Sequence, residues 1–363
     1  MFSSSWIKRL LVFSSACLLA ATVQATPAFS NIYVLGDSLS DQGNLFDATQ
    51  ALTGVGIPDG AHYANGRFSN GENYAGLLAQ RLGLSLAATL RGGNNFAYGG
   101  TRTDYNVVEG PKTPGGFDPG TPGGFAPGTT GYNWTLNLQR QDFAARHIFD
   151  PFALYVVFSG SNDIADLLRQ AAPLGRAGFA ATAAQSMAAV QGVLNVVDAY
   201  KNAGARYVLV PNIPDLGVIP SVTNVGSAGL NRLATALSQR FNTSLDAGLN
   251  AVSGVQIIRF DTFGFVDQVH DHPADFALTN VNQPCYTGFV DPTPSGTVCG
   301  NPDQYAYWDA EHPTTALHSI LADRLLAALD ANIVPEPESG ALVLVALGAM
   351  AFIQRRRAGA IAA

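Results

Sequence analysis

The chain has 363 residues, 47% of them hydrophobic, so it can bury a sizeable core and is too apolar to be disordered. Its formal net charge of −7 argues against nucleic acid or an anionic membrane surface as the main partner. No cluster of His, Cys, Asp and Glu has the spacing of a metal site, and we expect neither a metal nor another cofactor.

The N-terminal 25 residues have the order of charge, apolar core and small residues that is typical of a secretory signal peptide. Lys8 and Arg9 precede an apolar stretch at 10–21, and small residues occupy the cleavage positions up to Ala25. We therefore expect residues 1–25 to be removed on export. A lipidated Cys17 is the alternative.

The first predicted strand carries a candidate nucleophile. Ile32 to Leu35 are β-branched, aromatic or aliphatic, which predicts a short buried strand, and Ser38 follows on the turn at its carboxyl end. Ligands bind at this edge of open α/β sheets, so the Ser38 hydroxyl is well placed to react. The alternative is an ordinary turn in which Asp37 caps the next helix.

Strands and helices then alternate along the chain, which specifies an α/β fold with a parallel sheet covered on both faces. No linker divides the pattern, so we expect one domain at residues 28–332. Residues 41–67 read as loop with at most a short helix. The predicted helices are 73–84, 177–202, 229–249, 262–271 and 313–329. The further strands are a brief one within 94–101 that ends in a double Gly, and those at 153–158, 206–210 and 255–260.

A Gly- and Pro-rich insertion at 102–134 interrupts this pattern. It contains an imperfect tandem octad at 113–128, and such a composition cannot build a core, so we expect a long surface loop. Its Phe117 and Phe125 are candidates to cover an acyl group; the alternative is a loop with no catalytic part.

A serine nucleophile needs a general base, and the base needs an orienting carboxylate. Asp309 and His312 stand three apart at the entrance of the last predicted helix, so a single turn brings the carboxylate beside Nδ1 and leaves Nε2 free. Asp267 and His270 have the same spacing within another predicted helix. Periodicity alone does not choose between the two pairs.

Four short blocks follow one another in a specific order. They are Gly36-Asp-Ser-Leu-Ser-Asp41, Asn95-Phe-Ala-Tyr-Gly-Gly-Thr101, Gly160-Ser-Asn-Asp163 and Trp308-Asp-Ala-Glu-His-Pro-Thr314. In this order they resemble the blocks of the GDSL esterases/lipases, or SGNH hydrolases. The resemblance implies a three-layer α/β/α sandwich with a five-stranded parallel, flavodoxin-like sheet. It also implies cleavage of carboxylic esters of lipids or other acyl esters through an acyl-serine intermediate.

The resemblance assigns roles to individual residues. Ser38 matches the nucleophile, and Asp309 and His312 match the carboxylate and the base, which makes His270 a structural residue.

The resemblance also implies an oxyanion hole, formed by the Ser38 amide, the Gly99 amide and the Asn162 side chain. Gly100 stands next to Gly99, so the choice between the two glycines stays open.

Two cysteines remain in the expected domain, Cys285 and Cys299. Because export brings a protein into an oxidising compartment, we expect a local disulfide between them, with two free thiols as the alternative.

The C-terminal segment 334–357 combines Val334-Pro-Glu-Pro-Glu338, an apolar run at 340–353 and Arg355-Arg-Arg357. It resembles a PEP-CTERM sorting signal, which implies export by a Gram-negative bacterium, a transient inner-membrane tether and removal by an exosortase. The product would be secreted or exposed at the cell surface. The apolar run is shorter than the roughly 20 residues of a full span, and an ordinary tail anchor is the alternative.

The leading hypothesis is therefore a secreted serine ester hydrolase acting on a small-molecule or lipid ester. A polysaccharide O-acetylesterase and a non-catalytic surface or biofilm matrix protein are the other two candidates. The presence of Ser38, Asn162, Asp309 and His312 argues against the non-catalytic one.

Overall fold

The structure is a computed structural model that describes residues 29–103, 135–146, 149–290 and 296–333. The chain divides into one compact unit, Phe29–Leu329, and a second made of residues 1–28 and 330–363. The expected signal peptide, the tandem octad with its two phenylalanines and the expected sorting signal lie outside the described residues. Among those that are described, no helix is both long and apolar enough to cross a bilayer.

A parallel sheet of four strands forms the centre of the compact unit, in the order β1-β2-β3-β4. Every residue of β1 and β2 is buried, as expected for strands covered on both faces. This confirms the predicted α/β class. The strands are β1 Ile32–Gly36, β2 Leu154–Phe158, β3 Tyr207–Pro211 and β4 Gln256–Phe260.

An extended segment, residues 94–98, runs beside β1 at the position that a fifth strand would occupy. The Phe96 amide donates to the Val34 carbonyl at 2.8 Å, and the Tyr98 amide donates to the Gly36 carbonyl at 3.2 Å. The segment forms isolated bridges rather than a regular ladder, because the chain turns away immediately after it. With this segment included, the strand order is that of a flavodoxin-like sheet.

Helices flank the sheet. Helix α3 packs on β1, and α6 packs on β2, α3 and α8. Arg81 of α2 is linked to Asp323 of α10 by a 2.9 Å ion pair. The helices are α1 Asn44–Thr53, α2 Tyr74–Arg81, α3 Leu136–Arg146, α4 Ser161–Ala171, α5 Arg176–Ala181, α6 Ala183–Ala203, α7 Pro220–Thr223, α8 Ala228–Asn250, α9 Thr262–Asp271 and α10 Thr315–Asn332.

A small two-stranded sheet, β5 Asn280–Pro284 with β6 Tyr305–Tyr307, precedes the last helix. Cys285 directly follows β5 and is joined to Cys299 by a disulfide bond. The Cys285 amide also donates to the Tyr307 carbonyl at 3.0 Å. The disulfide and the strand pair thereby hold the segment that leads into the fourth sequence block.

Candidate active site

The turn that carries Ser38 begins where β1 ends, at Gly36. A side chain at this position would meet the Phe158 carbonyl oxygen of β2 at 2.4 Å from its Cβ, so only glycine lets the two strands lie this close. The Gln139 side chain of α3 bonds both backbone groups of Gly36 at 2.9 Å each. The end of β1 is therefore held firmly at the edge of the sheet.

Asp37 closes the turn. Its carbonyl accepts hydrogen bonds from the amides of Ser40 and Asp41 at 3.0 Å each, and its carboxyl accepts one from the Leu39 amide at 3.1 Å. Within the described part of the chain, the Ser38 amide donates no hydrogen bond. It is available to a ligand.

The structure brings the three predicted triad residues together. Ser38 Oγ lies 2.9 Å from His312 Nε2, and His312 Nδ1 lies 2.8 Å from Asp309 Oδ2. Asp309 Oδ1 accepts hydrogen bonds from the backbone amides of Glu311 and His312 at 2.8 and 2.7 Å, so one tight turn holds the carboxylate beside the imidazole. Asp309 is fully buried and His312 is 6% exposed.

Tyr63 completes the surroundings of the carboxylate, although no sequence pattern points to it. Its hydroxyl donates to Asp309 Oδ2 at 2.5 Å. The ring is buried in an aromatic cluster with Cys285, Tyr286 and Trp308. A tyrosine in a glycine-rich segment, 246 residues before its partner, gives no periodic or motif signal.

Electrostatics favour a charged carboxylate and a basic imidazole. Burial alone would raise the pKa of Asp309, but the facing His312 and the hydrogen bonds from His312 and Tyr63 lower it below its ordinary value. Burial alone would lower the pKa of His312, and the Asp309 carboxylate outweighs burial and raises it. The pair is thus suited to stabilise an imidazolium inside the protein.

The second pair of the same spacing does not reach the nucleophile. His270 lies on α9, and its Nε2 is 2.8 Å from Asn282 Oδ1. Its Nδ1 is 3.9 Å from Asp271. His312, rather than His270, is the histidine that contacts Ser38.

The oxyanion hole requires a correction at Gly99. The Gly99 amide donates to Asp41 Oδ2 at 2.8 Å and is therefore not free to bind a substrate oxygen. The next amide, that of Gly100, donates to no described residue, and its positive φ of 74° turns the chain at this point. Gly100 is thus the available donor of the second block.

Asn162 is anchored to the same loop. Its Nδ2 donates to the Thr101 carbonyl at 3.1 Å, which leaves a second N–H for a ligand. Arg102 bonds the Gly100 carbonyl at 2.6 Å and reaches Asp166 of α4 with two further bonds, at 2.9 and 3.0 Å. The loop that presents Gly100 is therefore tied to the helix that presents Asn162.

Two buried polar side chains join the first block to the second. Besides the Gly99 amide, the Asp41 carboxylate accepts amide hydrogen bonds at the start of α1. Asn44 Nδ2 donates to the carbonyls of Asn95 and Ala97 at 2.8 and 2.9 Å. These bonds fix the distance between the nucleophile turn and the glycine loop.

A cavity of about 490 Å³ opens beside Ser38, His312 and Asn162. Most of its lining is apolar and comes from α4, α9, α10 and the segments around α7. The apolar residues include Leu168, Leu216, Ile219, Leu230, Phe265 and Leu321. A volume and lining of this kind suit an acyl chain. Over the described ranges, no group of three or more His, Cys, Asp or Glu side chains could hold a metal ion.

The family model described as GDSL-like lipase/acylhydrolase matches residues 32–325. A GDSL esterase/lipase of Arabidopsis thaliana is 25% identical and covers 90% of this chain and 98% of its own length. Esterase EstA of Pseudomonas aeruginosa is 28% identical, over 90% of this chain and 52% of its own length. The phosphatidylcholine-sterol acyltransferase of Aeromonas hydrophila is 26% identical, over 84% and 92%. Among solved structures, the lipase Lip_vut3 from a goat rumen metagenome has a TM-score of 0.42 and 13% identity, over 82% of this chain and 96% of that one.

Proposed function

Because the chain belongs to the GDSL-like lipase/acylhydrolase family and is a carboxylic ester hydrolase, we propose that Ser38 is its nucleophile. In this proposal His312 is the general base and Asp309 the orienting carboxylate. The observation that carries it is the continuous chain of hydrogen bonds from Ser38 Oγ through His312 to Asp309.

The reaction proceeds in two stages. Ser38 Oγ attacks the ester carbonyl carbon while His312 Nε2 takes the hydroxyl proton, and the carbonyl electron pair moves onto oxygen. When the carbonyl re-forms, the bond to the alkoxy oxygen breaks and His312 gives its proton to the departing alcohol. Water then attacks the acyl-serine in the same way, which releases the carboxylic acid and restores Ser38. Asp309 stays ionised and stabilises the imidazolium.

In this proposal, three donors bind the oxygen that becomes negative. They are the amides of Ser38 and Gly100 and the side-chain N–H of Asn162, with Gly100 in the role first expected of Gly99. Each donor of this kind contributes about 2.7–4 kcal/mol to transition-state stabilisation. The bonds from Arg102 hold two of the three in place before substrate arrives.

The size and lining of the cavity support an acyl ester with more than an acetyl group. A two-carbon acyl group fills a small part of about 490 Å³, so the cavity favours lipid or other longer acyl esters over an O-acetylated polysaccharide. Family membership and the assembled triad favour an enzyme over a non-catalytic surface protein.

We also propose that the protein is exported by a Gram-negative cell with removal of residues 1–25, and is tethered transiently at the inner membrane until an exosortase removes 334–357. The order of charged, apolar and small residues at 1–25, and of the Pro-Glu-Pro segment, apolar run and arginines at 334–357, supports this proposal. The Cys285–Cys299 disulfide is typical of an oxidising compartment. Mass spectrometry of the protein recovered from cells and medium tests it, since both termini would have to be shortened.

The catalytic proposal is tested with 4-nitrophenyl butanoate. We expect Ser38→Ala and His312→Ala each to lower kcat by at least about 10³-fold, because triad residues act as a unit. His270→Ala is the matched control, since it removes a histidine with the same Asp-x-x-His spacing, and it should keep most activity. A Ser38→Ala variant with wild-type turnover would show that another residue is the nucleophile.

A further inference from the structure

Two exposed segments border the cavity beside the triad. Every residue of 172–177 and of 224–229 is exposed, and the first segment contributes Pro173 to the cavity lining while the second contributes Val225. Because these side chains both line the cavity and reach solvent, the two segments form part of its mouth, and we call them the rim. Leu174 and Val225 are each 61% exposed. The rim therefore presents large apolar side chains to solvent.

The two segments of the rim belong to one connected surface. Helix α5 continues from the first segment and helix α8 from the second, and α8 packs on α4, which precedes the first. Arg240 of α8 donates to the Phe179 carbonyl at 2.5 Å and to Thr182 Oγ1 at 2.8 Å, and its Cζ lies 4.3 Å from the centroid of the Phe179 ring. These contacts hold the two sides of the rim together.

Charge is distributed unevenly over the chain, and the rim lies in its basic part. The sequence has 27 acidic and 20 basic residues, yet the stretches 167–197 and 216–245 contain four arginines and no Asp, Glu or Lys. Arg176 lies in the rim and Arg232 follows it on α8. Both are exposed, and neither forms an ion pair with a residue that the structure describes. The free charges beside the rim are therefore positive.

Acidic side chains belong to other parts of the cavity wall. Asp37 is buried, and the exposed Glu311 adjoins His312 of the triad. Asp267 and Asp271 belong to α9, which lines the cavity on another side. The rim, rather than the whole surround of the cavity, is thus the face that an anionic partner would contact.

Exposed apolar side chains with arginines beside them fit a lipid surface that has anionic head groups. The apolar side chains enter the boundary between head groups and acyl chains, and the arginines contact the head groups. The net charge of −7 argues against such a surface for the chain as a whole. Salt screens distant charges, however, so the charges of the contacting face decide binding.

We propose that the rim docks the protein onto an anionic lipid surface. Leu174 and Val225 insert among the lipids, and Arg176 and Arg232 bind their head groups. The mouth of the cavity then faces the acyl chains, so a lipid ester enters it without crossing water. Docking needs neither the nucleophile nor the base, so this inference goes beyond the proposed esterase function and does not depend on it.

The test measures co-flotation of the protein with vesicles of phosphatidylcholine and with vesicles of an equimolar mixture of phosphatidylcholine and phosphatidylglycerol. It uses residues 26–333, because the apolar run at 340–353 would itself attach the full chain to lipid. This chain contains the whole compact unit and all residues that the family model matches. We expect tighter binding to the mixed vesicles. Leu174→Asp and the double variant Arg176→Glu/Arg232→Glu should each weaken that binding by at least about tenfold.

Phe152→Asp and Arg206→Glu are the matched controls. Phe152 is 54% exposed and precedes β2, so it lies at the opposite edge of the parallel sheet from Ser38. Arg206 is exposed beside it, with its Cζ 5.2 Å from the centroid of the Phe152 ring. The same changes of chemistry at this edge should leave vesicle binding as in the wild type. Thermal unfolding followed by circular dichroism checks that each variant is folded.

The outcomes separate docking from catalysis. Binding that needs phosphatidylglycerol, is lost in the rim variants and is kept in both controls supports the proposal, whether or not the protein cleaves 4-nitrophenyl butanoate. No binding to either kind of vesicle overturns it, as do equal losses in rim variants and controls. Equal binding to both kinds of vesicle also overturns it, because the arginines would then have no part. Failure to cleave any ester, with docking intact, removes the esterase function alone.

Discussion

Tyr63→Phe is the substitution that most directly tests how the carboxylate of the triad is held. It removes one oxygen atom from a buried ring, and with it the 2.5 Å hydrogen bond to Asp309 Oδ2. The ring itself keeps its place between Tyr286 and Trp308, with centroids 5.9 and 6.5 Å away. Its effect on activity therefore reports the hydrogen bond rather than the packing.

The size of the expected effect follows from the charge of Asp309, which accepts the hydrogen bond from Tyr63. A hydrogen bond to a charged group contributes about 1.5–3 kcal/mol, and the free energy of unfolding should fall by an amount of this order. Without the Tyr63 donor, the negative charge of Asp309 is less stabilised and attracts the imidazolium more strongly, so the pKa of His312 rises further. If a third to a half of the energy reaches His312, the shift is about 0.5–1 unit.

The assay is the pH dependence of kcat/KM. Because His312 must be neutral to accept the Ser38 proton, a higher pKa moves the acidic limb of the profile to higher pH and lowers activity most below that limb. Tyr286→Phe is the matched control, since it removes a hydroxyl from the same aromatic cluster while the bond from Tyr63 to Asp309 stays. Superimposable profiles for wild type and Tyr63→Phe would refute the reasoning.

Substitutions at two further residues follow from the same site. Asn162→Ala should lower kcat by about 10²–10³-fold through loss of an oxyanion donor, and Asn162→Asp should cost more still because a carboxylate repels the developing charge; equal losses measured with 4-nitrophenyl butanoate would contradict this. Burial raises the pKa of Asp37 from 3.8 to about 7, so its stabilising contribution is complete below pH 3.8 and is lost as the pH rises through about 7. Asp37→Asn should therefore gain stability relative to wild type, by a few kcal/mol, between pH 4 and pH 8 in urea unfolding, and a constant difference across this range would count against the assignment.

Local sequence patterns predicted the helices and strands well where interactions between neighbouring residues determine them. The helix expected at 262–271 is α9, and the one expected at 229–249 is α8, longer by one residue at each end. The helix expected at 177–202 is instead divided into α5 and α6 at Thr182. Arg240 of α8 bonds the Phe179 carbonyl at 2.5 Å and Thr182 Oγ1 at 2.8 Å, and periodicity cannot reveal partners that lie so far along the chain.

Two helix starts also differ from the expectation, the first through a local contact and the second through distant ones. Helix α1 lies in a stretch expected to be mainly loop, and the Asp41 carboxylate stabilises its start by accepting the amides of Gly43, Asn44 and Leu45. The last helix begins at Thr315 rather than at Pro313. The Pro313 residue pairs with Tyr307 of β6, and its carbonyl accepts a hydrogen bond from Ser69.

The candidate site likewise combines contacts between neighbouring residues, which the sequence predicts, with contacts between distant residues, which it does not. The contact between Asp309 and His312 follows from their spacing of three residues, so the sequence was sufficient to predict it. The choice between Gly99 and Gly100 depends on Asp41, which takes up the Gly99 amide from 58 residues away. Tyr63 could be found only once the chain was folded, because its partner lies in another part of the sequence.

The 274 residues that separate Ser38 from His312 have a consequence for biosynthesis. A chain that is still being synthesised, or that is cut short before the last block, contains the proposed nucleophile and oxyanion donors but not the proposed base. With Ser38 and His312 in their proposed roles, esterase activity requires a chain that extends through residue 312 and has placed this block beside the end of the first strand. Turnover is thus a direct readout of full-length folding, and a fragment lacking the last block should accumulate without attacking the esters of the cell that makes it.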